Sequence, residues 1–120
     1  MVGTLGGTKL SKSKQKGTAA ETAVVRYLQQ NGYPNVERRA LNGTQDRGDV
    51  SGIADVVIEV KNHARMELSE WVKELEAEIK NAQATSGTVI HKKRGTTNVG
   101  EWYATLPVEL WVQLIQRAKY

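Results

Sequence analysis

Apolar residues change their period several times along this chain, and each change marks an element. Over residues 18–30, Ala20, Val24, Tyr27 and Leu28 recur at helical spacing, with Gly32 and Pro34 placed to end the run. Residues 35–41 read as a short strand of polar character, carrying Glu37, Arg38 and Arg39. A polar loop with two glycines follows over 42–48, and a strand ending near Asp49 turns through Ser51-Gly52 and returns. Residues 55–61 are dominated by β-branched side chains, with neither helix period nor breaker, so they form a strand. Alternation puts Val56, Ile58 and Val60 on one face, and Val57, Glu59 and Lys61 on the other.

Helical spacing resumes over 68–85, where Trp71, Val72, Leu75, Ile79 and Ala82 make a buried stripe between Ser69 and Gly87. Its many glutamates, Glu74, Glu76 and Glu78 among them, fill the remaining faces and read as solvated. Gln83 sits near the stripe, within reach of either a site or a backbone partner. Residues 88–92 and 101–106 are two further strands, joined as a hairpin through a loop whose basic tip is His91-Lys92-Lys93-Arg94-Gly95. Pro107 then opens a third helix, with Trp111, Leu114, Ile115 and Ala118 as its inner stripe. The order is helix, three strands, helix, two strands, helix. The expected class is α/β, with a central mixed β-sheet flanked by helices.

Composition narrows the picture only in places. A length of 120 residues fits one domain, here 17–120, and the absence of cysteine excludes disulfides and thiolate zinc sites. Cysteine-free chains suit a reducing cytoplasm. No apolar run approaches the roughly 20 residues that span a bilayer. Residues 1–16 carry Lys9, Lys12, Lys14 and Lys16 and no acid, which predicts a flexible basic arm able to contact phosphate. The net charge of +4 agrees with a polyanionic partner.

Candidate chemistry concentrates around 48–62. Glu59 and Lys61 point the same way from an apolar strand, and a bare Glu-x-Lys is explained by an ion pair. Asp49 adds a second carboxylate, close enough after the strand reversal to share one divalent cation with Glu59. Asp46 is an alternative to Asp49, and Asp55 a lesser one. Glu21 completes a capping-box pattern, Thr18-Ala19-Ala20-Glu21, and on spacing alone it is a helix cap. Arg38 and Arg39 could grip phosphate, and Lys92, Lys93 and Arg94 could clamp a nucleic-acid backbone. His91 alone reads as structural, and His63 lies near the mouth of the site without an assigned role.

The spacing Asp49, nine residues, Glu59-Val60-Lys61 resembles the core of the PD-(D/E)xK nucleases, with Gly48 in place of the nominal proline. Lys16-Gly17, Glu21, Gly32, Arg38-Arg39 and the Gly43 loop are similar to archaeal Holliday junction resolvases and their phage-encoded relatives. The likeness covers about residues 14–62, and downstream only the order of elements agrees. It implies a restriction-endonuclease-like fold and a Mg²⁺-dependent endonuclease, with Mn²⁺ as a substitute. The implied substrate is DNA at four-way junctions, cut by a homodimer in recombination and repair. By the same likeness Asp49, Glu59 and the Val60 carbonyl hold the metal, Lys61 orients or activates water and stabilises charge, and Glu21 is catalytic rather than a cap. Lys14 and Lys16, with Arg38, Arg39, Lys92, Lys93 and Arg94, are the expected DNA contacts.

Overall fold

A computed structural model describes residues 11–40 and 46–119. The described residues run α1 (Lys12–Gln30), β1 (Glu37–Arg38), β2 (Val50–Ser51), β3 (Val56–Lys61), α2 (Leu68–Ala82), β4 (Ser86–His91), β5 (Tyr103–Thr105) and α3 (Val108–Arg117). A single 3₁₀ turn, Val99–Glu101, precedes β5. The five strands form one sheet in the order β1-β2-β3-β4-β5. The class is α/β with a mixed sheet, as the periodicity predicts.

Sheet pairing follows from the connections. Short links make β1, β2 and β3 an antiparallel meander, with Arg38 opposite Val50 and Val50 opposite Ile58. Helix α2 fills the longer link from β3 to β4, so these two strands pair parallel, from Val56 opposite Ser86 to Lys61 opposite His91. A hairpin returns the chain as β5, antiparallel to β4, with His91 opposite Tyr103.

Strand β3 lies at the middle and separates two cores. On one face Ile58 and Val60 pack with Ala20, Val24 and Val25 of α1, with Val36, Val50 and Trp102 completing the cluster. On the other face Val57 packs with Val89 and with Trp71 and Leu75 of α2. Alternation along β3 therefore divides the sheet into an α1 side and an α2 side. Gly87 of β4 makes the α2 side close: a Cβ there would sit 2.7 Å from the Val57 carbonyl oxygen and 3.0 Å from Leu75 Cδ1.

Three expectations are corrected. Helix α1 begins at Lys12, not Thr18, because the Ser11 hydroxyl caps it by accepting the Lys14 N–H at 3.2 Å. Lys14 and Lys16 thus belong to a helix rather than a flexible arm, and Thr18 to Glu21 is helix interior, not a cap. Residues 1–10 of the expected arm, and 41–45 of the polar loop with Gly43, lie outside the described residues. The strand expected over 35–41 pairs only at Glu37 and Arg38. The stripe of α3 does not face a core: Trp111, Leu114 and Ala118 are exposed, and the helix buries no residue.

Candidate metal centre

The β2–β3 reversal places Asp49 beside the C-terminal half of β3. Its backbone is held on both sides, the N–H donating to the Ile58 carbonyl at 2.9 Å and the carbonyl accepting from Arg39 N–H at 2.8 Å. Gly48, just before it, has φ of +100° and a virtual Cβ 2.9 Å from Val57 Cγ1. A proline at that position, with φ fixed near −65°, could not make the same approach. The Asp49 carboxylate then accepts the Val60 N–H through Oδ2 at 2.8 Å, which sets it alongside Glu59.

Glu59 and Lys61 meet on one face as alternation requires, with Lys61 Nζ 3.3 Å from Glu59 Oε2. The ammonium also bonds both oxygens of Glu74 on α2, at 3.1 and 3.0 Å. One turn along α2, Glu78 reaches the same region. Carboxylate oxygens of Asp46, Glu59 and Glu78 lie within 4.8 Å of one another, a grouping that could hold a metal ion. Asp46 is positioned by its own Oδ1, which accepts Gly48 N–H at 3.0 Å, and by its carbonyl, which accepts from Asn81 of α2 at 2.9 Å. From the opposite side α1 presents Glu21, whose Oε1 is 3.0 Å from Arg38.

These carboxyls repel one another in a poorly hydrated place. Glu59 is 3% exposed and Glu78 1% exposed. Glu59 Oε1 and both Glu78 oxygens are buried without a hydrogen-bond partner among the described residues. Burial, then the charges of Asp49 and Glu78, push Glu59 up to about 11. Burial and the adjacent Asp46 push Glu78 up to about 8. Burial also raises Asp49, against the Val60 N–H that favours its ionised form, and raises Glu21, with Asp49 adding to the effect. For Lys61 burial alone would lower the pKa, but Glu74 and Glu59 outweigh it and the net shift is upward. Ionising such buried carboxyls is costly, so they hold their protons unless a cation joins them. An all-oxygen donor set is the chemistry of a hard ion such as Mg²⁺ or Mn²⁺.

Asp49, Glu59, Lys61 and Glu21 are thus brought together, and Asp46, expected as an alternative to Asp49, stands with them. Glu74 and Glu78 are both expected to be solvated: Glu74 is, its side chain 45% exposed while it bonds Lys61, whereas Glu78 is buried and turned into the cluster. The signal for Glu78 was present: it lies three residues after Leu75 and seven after Trp71, on the buried stripe itself. Asp55 stays away from the cluster, in a turn at φ +62°, as does Gln83, the exposed left-handed C-cap of α2. Arg38 is committed to Glu21, and the Nε of Arg39 is buried without a hydrogen-bond partner among the described residues.

One residue beyond Lys61 the chain enters a cleft of about 670 Å³ at the C-terminal ends of β3 and β4, lined by Lys16, His63, Lys92, Lys93, Arg94 and Tyr103. Lys92 N–H donates to the Lys61 carbonyl at 3.0 Å, which joins the cleft to the carboxylate cluster. His91 lies buried beneath, its Nε2 2.8 Å from Thr105 Oγ1, and burial lowers its pKa. No known protein family, curated protein or solved structure matches this chain.

Proposed function

We propose that this chain is a Mg²⁺-dependent DNA endonuclease of the PD-(D/E)xK type, with the four-way junction as its preferred substrate. One observation carries the reading: a single strand end gathers Asp49, Glu59 and Lys61 around buried carboxyl oxygens, three of which have no hydrogen-bond partner among the described residues. The fold supports it, since a meander, a crossover helix and a parallel strand in the order β1-β2-β3-β4-β5 are compatible with a restriction-endonuclease-like core.

In this reading Asp49, Glu59 and the Val60 carbonyl hold the cation, with Asp46 and Glu78 as further oxygen donors. The bound ion would lower the pKa of a coordinated water and polarise the scissile phosphate. Lys61, held charged by Glu59 and Glu74, stabilises the negative charge that builds on the phosphate oxygens. Glu21, its carboxyl raised by burial and by Asp49, is placed to hold a proton beside the reacting water. Lys16, Lys92, Lys93 and Arg94 position the backbone, and Lys14 on the same helix extends the basic surface. Two copies acting as a homodimer would supply the paired nicks that a junction requires.

The test is cleavage of a labelled four-way junction beside duplex, flap and single-stranded DNA, in Mg²⁺ or EDTA. Paired nicks in the junction, absent in EDTA and with Asp49→Ala or Glu59→Ala, are the expected result, with DNA binding retained in both variants. Metal-dependent cutting of every substrate would retain the nuclease and remove the junction preference. Tight binding without cutting would replace the enzyme by a DNA-binding module of the same shape.

A further inference from the structure

We infer that the cleft beyond Lys61 is a site for an unpaired nucleotide of the DNA strand, with Tyr103 as the platform on which its base stacks. The inference deepens the nuclease reading by naming the substrate state: a strand with at least one base out of the duplex beside the cut.

Three features point to this ligand. First, Lys16, Lys92, Lys93 and Arg94 converge on one concavity from α1 and from the β4–β5 connection, and among the described residues none of them pairs with a carboxylate. Four uncompensated cations in a cleft concentrate field and favour a phosphate chain. Second, Tyr103 lines the same cleft and is 47% exposed. Its ring packs on buried His91 at a centroid distance of 5.3 Å, His91 packs on Trp71 at 5.6 Å, and Trp71 meets His63 at 5.4 Å. This row fixes one side of the phenol and leaves the rest of a rigid aromatic surface to the cleft. Bases inside a duplex have both faces covered by their neighbours, so such a surface serves a base that has left the stack. Third, the size and place agree. A volume of about 670 Å³ falls within the range of small-ligand sites, which run roughly 300–1,000 Å³. The cleft also opens at the carboxyl ends of two parallel strands, where open α/β sheets bind ligands.

The experiment measures binding in EDTA, so that it does not depend on cutting. A fluorescently labelled eight-residue oligothymidylate and a duplex of matched length are titrated against wild type, Tyr103→Ala, Tyr103→Trp and Lys93→Ala. Tyr103→Ala should weaken the single strand by about tenfold, within the range typical of lost base–aromatic stacking, and leave the duplex unchanged. Tyr103→Trp should restore the single-strand affinity, which a merely structural role for the phenol would not do. Lys93→Ala should weaken both DNAs and reduce the salt dependence by about one phosphate contact. Equal single-strand affinity for wild type and Tyr103→Ala, or equal losses on both DNAs, would overturn the inference. A tyrosine-dependent preference for single strands in a protein that never cuts would leave the nucleotide site standing and refute the nuclease alone.

Discussion

Glu59 and Glu78 set up a conflict that a proton or a cation must relieve: two carboxyls, 3% and 1% exposed, with three oxygens that have no hydrogen-bond partner among the described residues. A carboxyl whose folded pKa lies above its unfolded value opposes folding once it ionises. For Glu78 the penalty is absent below about 4.5, grows as pH rises, and is complete above about 8. In EDTA, Glu78→Gln should therefore melt with wild type near pH 4.5 and above it at pH 8. A buried unsatisfied group costs about 1–3 kcal/mol, and each kcal/mol moves the melting temperature of a domain this size by about 4 °C. Mg²⁺ should close the gap by raising wild type more than the variant. Scanning fluorimetry across pH decides this, and a gap constant with pH would mean that Glu78 is not destabilised by ionisation. Glu59 and Lys61 could be read from the chain because a strand's alternation is local. The roles of Glu74 and Glu78 were harder to see, since the four glutamates of α2 look alike until β3 selects among them. Only Glu78's position on the Trp71–Leu75 stripe separated it from the solvated ones.

At the level of elements, the β3–α2–β4 unit holds the site at fixed spacing, because its helix supplies Glu74 and Glu78 and its strand Glu59 and Lys61. Gly87 leaves room for that spacing, since a Cβ there would meet the Val57 carbonyl oxygen at 2.7 Å and Leu75 and Ile79 of the helix at 3.0 and 3.1 Å. Gly87→Ala would force a methyl against the Val57 carbonyl and Leu75, so it should cost about 1–3 kcal/mol as overpacking does. Urea denaturation would register this as a lower midpoint at constant slope, and an unchanged midpoint would show that α2 can shift freely. The identity and order of the elements followed from periodicity. Their ends did not: the Thr18–Glu21 pattern imitated a helix start, while the lysines before it are good helix formers and Ser11 supplies the actual cap.

Over the whole molecule, α3 is the element with least attachment. Val108, Trp111 and Leu114 are 74%, 51% and 44% exposed; Trp111 and Leu114 belong to the stripe that sequence spacing assigns to a core, because that spacing is the one of a buried helix. Amphipathic spacing reports that a face wants covering, not which chain covers it. Were this face the contact of the proposed homodimer, Trp111→Glu should convert a dimer into a monomer in sedimentation velocity while the fold persists. An unchanged dimer would place the contact elsewhere. The unpartnered carboxylates also bear on how long the protein lasts in a cell. Once free cation exceeds the dissociation constant, each further tenfold adds about 1.4 kcal/mol to the folded state. Copies starved of the ion open more often and are the first to meet a protease. With a cation bound as proposed, the same repulsion would act as a quality filter, leaving a standing pool enriched in molecules loaded with the ion.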